Sequence, residues 1–198
     1  MKDEFLKRLP SSAAEERAIV EALFGLPNTI REKAAAIRAD GRLSDGAKAD
    51  DIRQMAKGTP RQHLQQLRSR AAAMKADVQN RRLALKPKEV DRSDLYAEMQ
   101  RRELRDHLKT LPAEQRLRAA MDDPAITEAV LNAPAALSGL SAEHLGLVRD
   151  GHMEKTFGPQ LADIEKREAV LEVINSAVEI ATAQFRRETG LAENEIDS

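Results

Sequence analysis

The side chains best suited to proton transfer or metal binding near neutral pH are four histidines, His63, His107, His144 and His152. They are scattered. His144 and His152 stand eight residues apart, which is not the spacing that sets two ligands on one helix face, so both read as solvated or locally hydrogen-bonded. Asp122-Asp123 is a carboxylate pair of the kind used in acid–base chemistry. Asp123, however, directly precedes Pro124, which is the place of a helix cap. Asp50-Asp51 sits between Lys48 and Arg53 and reads as a solvated face. There is no cysteine, so thiolate chemistry and disulfides are excluded. The nine glycines form neither a phosphate loop nor a dinucleotide fingerprint. Ser138-Gly139-Leu140-Ser141 lacks the flanking glycine and the preceding strand of a nucleophile elbow. The expectation is therefore a chain that is not an enzyme, with no catalytic, cofactor-binding or metal-binding residues.

The elements that position these residues are helices. Alanine, leucine, glutamate and arginine dominate, and aromatics are 3% of the 198 residues, with Tyr96 the single tyrosine and no tryptophan. This alphabet favours helix and is poor in strand formers, so the fold class is all-α. One stretch stands out. From Pro159 to Arg187 no second proline and no glycine intervene, and Ile164, Leu171, Val178 and Phe185 recur every seven residues. Val170, Ile174, Ala177 and Ala181 fill the neighbouring stripe, and Val173 and Ile180 widen it. Pro159 suits a first helical turn and Gly190 the residue just past the end. About 29 residues at about 1.5 Å each give a helix of roughly 43 Å. We expect this wide apolar face to need other helices or a second subunit to cover it.

Upstream, the spacing predicts short helices over 1–58. One is capped by Ser11 or Ser12 and ends before Pro27, one runs from Asn28 to about Arg38, and one follows Ser44 to Lys57. Thr59-Pro60 opens a long helix to about Leu85, with Leu64, Leu67, Ala71, Met74, Val78 and Leu85 as a thin coiled-coil seam. Asp91 starts the next, through about Lys109, and the pair reads as a charged helical hairpin over 59–110. From Thr110 proline recurs. Pro112, Asp123-Pro124 and Ser141 each begin a helix, Ala133–Leu140 reads as an apolar loop, and 111–189 forms a second helical unit. The tail 190–198 is acidic and expected to fray.

Charge is uneven although the net is −1. Residues 60–90 carry a net +6 and residues 111–198 a net −8. Arg61, Arg68, Arg70, Lys75, Arg81 and Arg82 on the first long helix are candidate nucleic-acid contacts, of a salt-dependent and sequence-blind kind. The stacking aromatics of single-strand binders are missing. The competing reading is a solvated basic face that answers the acidic C-terminal half. No stretch of about 18 apolar residues is present to span a bilayer, and Met1-Lys2-Asp3-Glu4 opens no signal peptide. No membrane partner is expected, and the cytoplasm is the expected location.

At 124–150, PAITEAVLNAPAALSGLSAEHLGLVRD, the chain resembles uncharacterised helical proteins of tailed-phage and prophage genomes. The run Ala129 to Ser141, the helix after it and the long apolar helix carry the likeness, over roughly the last eighty residues. It implies a product of a phage structural or assembly module, incorporated in a virion or acting as a scaffold, with no catalytic residues to transfer. The resulting expectation is an assembly protein that self-associates as a homo-oligomer or docks on other virion components, through the final helix and the apolar loop Ala133–Leu140. Its protein interface is expected at Ile164, Leu171, Ile174, Val178 and Phe185, together with Leu64, Leu67 and Met74.

Overall fold

A computed structural model describes residues 1–87 and 93–197. Among the described residues there are helices and no strand: α1 (Lys2–Arg8), α2 (Ala14–Ala39), α3 (Asp45–Lys57), α4 (Thr59–Ala84), α5 (Leu95–Thr110), α6 (Ala113–Asp122), α7 (Pro124–Leu131), α8 (Ala135–Ser138), α9 (Ala142–Thr189) and α10 (Glu193–Asp197). The all-α expectation holds.

Several ends are fixed by the residues that the spacing singles out. The Ser44 hydroxyl accepts from the Ala47 N–H at 3.2 Å. The Asp123 carboxylate accepts from the Ala125 and Ile126 N–H groups at 2.8 and 3.3 Å, with Pro124 in the first turn. The Ser141 hydroxyl accepts from the His144 N–H at 3.1 Å. Each satisfies a donor that the first turn leaves unpaired. Gly190 follows α9 with φ +68°, a conformation that disfavours any side chain.

Other expectations are corrected. Residues 1–58 hold a long helix, because α2 runs straight through Pro27. Proline there removes one hydrogen bond and crowds the carbonyl four residues back, at a cost of about 3 kcal/mol. Continuity of Ile19, Val20, Leu23, Phe24, Leu26, Ile30 and Ala34 on one buried face outweighs it. Neither Ser11 nor Ser12 caps this helix. Ala13 holds the N-cap position with no side-chain bond, and the Arg17 guanidinium instead donates to the Leu6 and Leu9 carbonyls at 2.8 and 3.3 Å, tying α1 to α2. Asp91, the expected start of α5, lies outside the described residues. Within them Asp94 is the cap, accepting from the Ala97 N–H at 3.0 Å. The loop 133–140 contains the single turn α8. The tail does not fray: it forms α10, with Leu191 and Ile196 buried. Pro159, by contrast, stands where its spacing suggests: α9 consists of two helical stretches that meet at a kink at Phe157, whose φ −128° and ψ 15° are not helical, and Pro159 lies in the first turn after it.

The packing divides the chain differently from the expected boundary near residue 110. One unit comprises 1–82 and 164–198, and the other comprises 83–163. The expected hairpin 59–110 is thus split, with most of α4 in the first unit and α5 in the second. The core of the first unit joins Leu23, Phe24 and Ile30 of α2 to Leu64 and Leu67 of α4, and to Ile174, Ala177, Ala181 and Phe185 of α9. Leu191 and Ile196 of the tail close it. The core of the second joins Leu108 of α5, Ala120 of α6, Ile126 and Val130 of α7, and Leu145 and Val148 of α9.

Candidate interaction surface

The stripe expected to hold a second subunit is covered by its own chain. Ile164, Leu171, Ile174 and Phe185 are buried, as are Leu64 and Leu67, while Val178 and Met74 are half-buried against the first core. The face is as wide as its sequence indicates. The correction is to what covers it: α2, α4 and the tail do so from within one molecule, which the period alone cannot distinguish from a partner.

The basic face of α4 is likewise answered internally. Arg68 pairs with Asp197 at 2.6 Å and Glu193 at 3.8 Å. Arg61 donates to the Glu195 carbonyl oxygen at 3.3 Å. Arg81 meets Asp77 at 2.7 Å, and Arg82 meets Glu168 at 2.8 Å. Arg70 and Lys75 are exposed. The acidic tail therefore lies along Arg61 and Arg68, two of the six cations that a phosphate backbone would need. These are mostly solvated pairs, each worth little by itself. Their consequence is for the local field, which they neutralise.

The histidines remain apart. His152 borders a cavity of about 210 Å³ lined by Met121, Pro124, Thr127, Val148 and Lys155. Two of its polar side chains are committed to backbone: the Lys155 ammonium donates to the Met121 carbonyl at 2.6 Å, and the Thr127 hydroxyl to that of Ala120 at 2.6 Å. Among the described residues no three His, Asp or Glu side chains gather closely enough to hold a metal. Nor, among them, is any helix long and apolar enough to cross a membrane.

The surface that sequence reasoning missed is on α5. Leu95, Tyr96 and Met99 are exposed at 77, 72 and 62%. Arg101, Arg105 and Leu108 turn inward on the same helix. The Arg105 guanidinium donates to the Ala129 carbonyl at 3.1 Å and to Glu98 at 2.9 Å, and Arg101 donates to Glu98 at 3.0 Å. These two arginines hold Glu98 below the usual carboxylate range, Arg105 most strongly. As far as Arg105 the helix is inverted: Arg101 and Arg105 face the core while Leu95, Tyr96 and Met99 face water, and Leu108 packs inward further on. At about 100° per residue Leu95 and Met99 lie one turn apart on the outer face with Tyr96 beside them. Leu83, Leu137 and Leu147, further apolar side chains of the second unit, are also exposed. The available signal is the reversed pattern itself. A helix whose apolar positions are sparse reads as narrow, when two of its interior positions are arginines.

Compared with protein families, with curated proteins and with solved structures, the chain matches none.

Proposed function

We propose that this chain is a non-enzymatic helical assembly protein that associates with a second copy of itself through the outer face of α5. The observation that carries this is the exposure of Leu95, Tyr96 and Met99 together on two turns of one helix. Contiguous exposed apolar side chains, one of them the chain's single tyrosine, are the usual centre of a protein contact. A second copy fits because a two-fold axis sets the same short stripe against itself. A net charge of −1 also opposes the approach of two copies very little. Three side chains bury less than a standard interface, so the contact belongs to the weak, concentration-dependent class, with Kd on the order of 10 µM or weaker. The likeness of 124–150 to phage and prophage helical proteins supports a place in a virion or scaffold, inside the host cytoplasm during assembly. Such lattices are built from many weak contacts.

The test is sedimentation velocity across a concentration series. The native chain is expected to shift reversibly from monomer to dimer, and the Leu95→Glu, Met99→Glu double variant to stay monomeric with an unchanged circular dichroism spectrum. A native chain that remains monomeric at its highest soluble concentration overturns the reading.

A further inference from the structure

A cleft of about 370 Å³ opens in the first unit where the end of α2, the first half of α3 and the end of α9 converge. Four cations line it: Arg38, Lys48, Arg53 and Arg187. Two carboxylates line it as well, and neither neutralises the cleft. Glu188 is nearly buried and already bound, with Arg31 at 3.0 Å and Arg38 at 3.6 Å. Asp45 is fully exposed and reaches the Lys48 ammonium only at 3.9 Å, so solvent screens the pair. Lys48 itself is 20% exposed. The Asp40 carboxylate also feels Lys48, but it is gripped by Arg42 at 2.8 Å, so a largely covered ammonium still gains from a further anion. Arg53 lies beside Gly190, whose φ of +68° disfavours any side chain there. Low-dielectric walls around an excess of one sign focus the field into the opening.

We propose that this cleft binds a phosphate-type dianion, as inorganic phosphate or the terminal phosphate of a small ester. The formal charge of its lining is +2, which matches such a ligand. Arginine supplies the planar fork that phosphate oxygens accept from, and lysine the point charge. Arg38 is held by Glu188 and by its hydrogen bond to the Glu188 carbonyl oxygen at 3.2 Å. Arg187 reaches Glu188 at 3.8 Å. Arg53 feels the Glu195 carboxylate, which Lys57 holds at 3.1 Å. Lys48 and Arg53 on α3 are the side chains left to grip the anion. This site is independent of self-association through α5.

The experiment is an amide chemical-shift titration of the full chain with sodium phosphate, against sodium chloride at matched ionic strength. Saturating shifts are expected at Lys48, Ala49, Gly190 and Leu191 with phosphate alone. Phenyl phosphate as a second probe separates the sources: tighter saturation than inorganic phosphate marks an ester, and weaker saturation marks the free ion. Lys48→Gln and Arg53→Gln are each expected to weaken binding about tenfold. Both side chains sit on the surface helix α3, outside the buried core, and a thermal melt checks the fold. Arg70→Gln, an exposed cation of α4, is expected to leave binding unchanged. Shifts equal in chloride and phosphate overturn the proposal. So does binding that survives loss of both Lys48 and Arg53, or saturation by an acidic peptide without any by phosphate.

Discussion

Glu188 shows how a single side chain closes the first unit. A carboxylate in the last turn of a helix meets the negative end of the dipole and is disfavoured there. Here the Arg31 guanidinium, first, and then Arg38 and Arg187 outweigh both that field and burial, and hold the carboxyl below its ordinary range. Because the folded value lies below the unfolded one, the stabilisation is full above about pH 4.5 and is lost as pH falls through the folded value. Glu188→Gln removes charge-assisted bonds, so we expect a loss of about 1–3 kcal/mol near neutral pH by urea denaturation. The same variant should show a flatter fall of melting temperature between pH 5 and pH 3 than the native chain. Arg31 and Glu188 are 157 positions apart. The caps at Ser44, Asp123 and Ser141 were legible in the sequence because cap and donor are two or three positions apart. The clamp was not, because nothing local links its members.

Among the elements, α10 departs furthest from its composition. Glu193, Glu195 and Asp197 read as a solvated tail, but Leu191 before them and Ile196 among them are buried, and the acids face Lys57, Arg68 and Arg186. Full burial of such side chains contributes about 1.5–3 kcal/mol each. Ending the chain after Gly190 should therefore cost about 3–6 kcal/mol, read as a lower melting temperature. An unchanged melt would show that the tail only decorates the core. In α9 the reverse holds, and the local signal was good. Gly158 precedes a proline and is disfavoured in the α region, and Pro159 leaves the Lys155 carbonyl without its helical donor. The chain bends at Phe157, two residues before the proline. Pro27 carries the same chemistry and leaves α2 as one helix. The difference lies in the cores that flank each proline: Leu23 and Ile30, before and after Pro27, belong to one core, whereas Val148 before Pro159 and Ile174 after it belong to two.

At the scale of the molecule, two cores share no side chain among the described residues. Phe185 is fully buried in the first, and its truncation to alanine is expected to cost about 3–5 kcal/mol. Hydrogen exchange should then accelerate through α2 and α4, while amides of α6 and α7 keep their native rates. Equal acceleration in both would show that the cores melt as one. The exposed apolar side chains Leu95, Tyr96, Met99, Leu137 and Leu147 belong to the second unit. The first buries the stripes whose periodicity is plainest in the sequence. The partition between exposed and buried apolar surface is thus the opposite of what the width of the apolar faces suggests.

Composition and local spacing by themselves determined that the chain is helical, where most helices begin and stop, and which faces are apolar. Those properties depend on propensity, on capping within three residues and on a period of about 3.6, all of them short-range. Only the tertiary structure decided which apolar face meets its own chain and which meets water. It also decided that the acidic tail lies along α4, and that Arg31 and Arg38 reach Glu188. Each of these depends on contacts between residues more than a hundred positions apart. Periodicity states that a face must be covered, and carries no information about which molecule covers it.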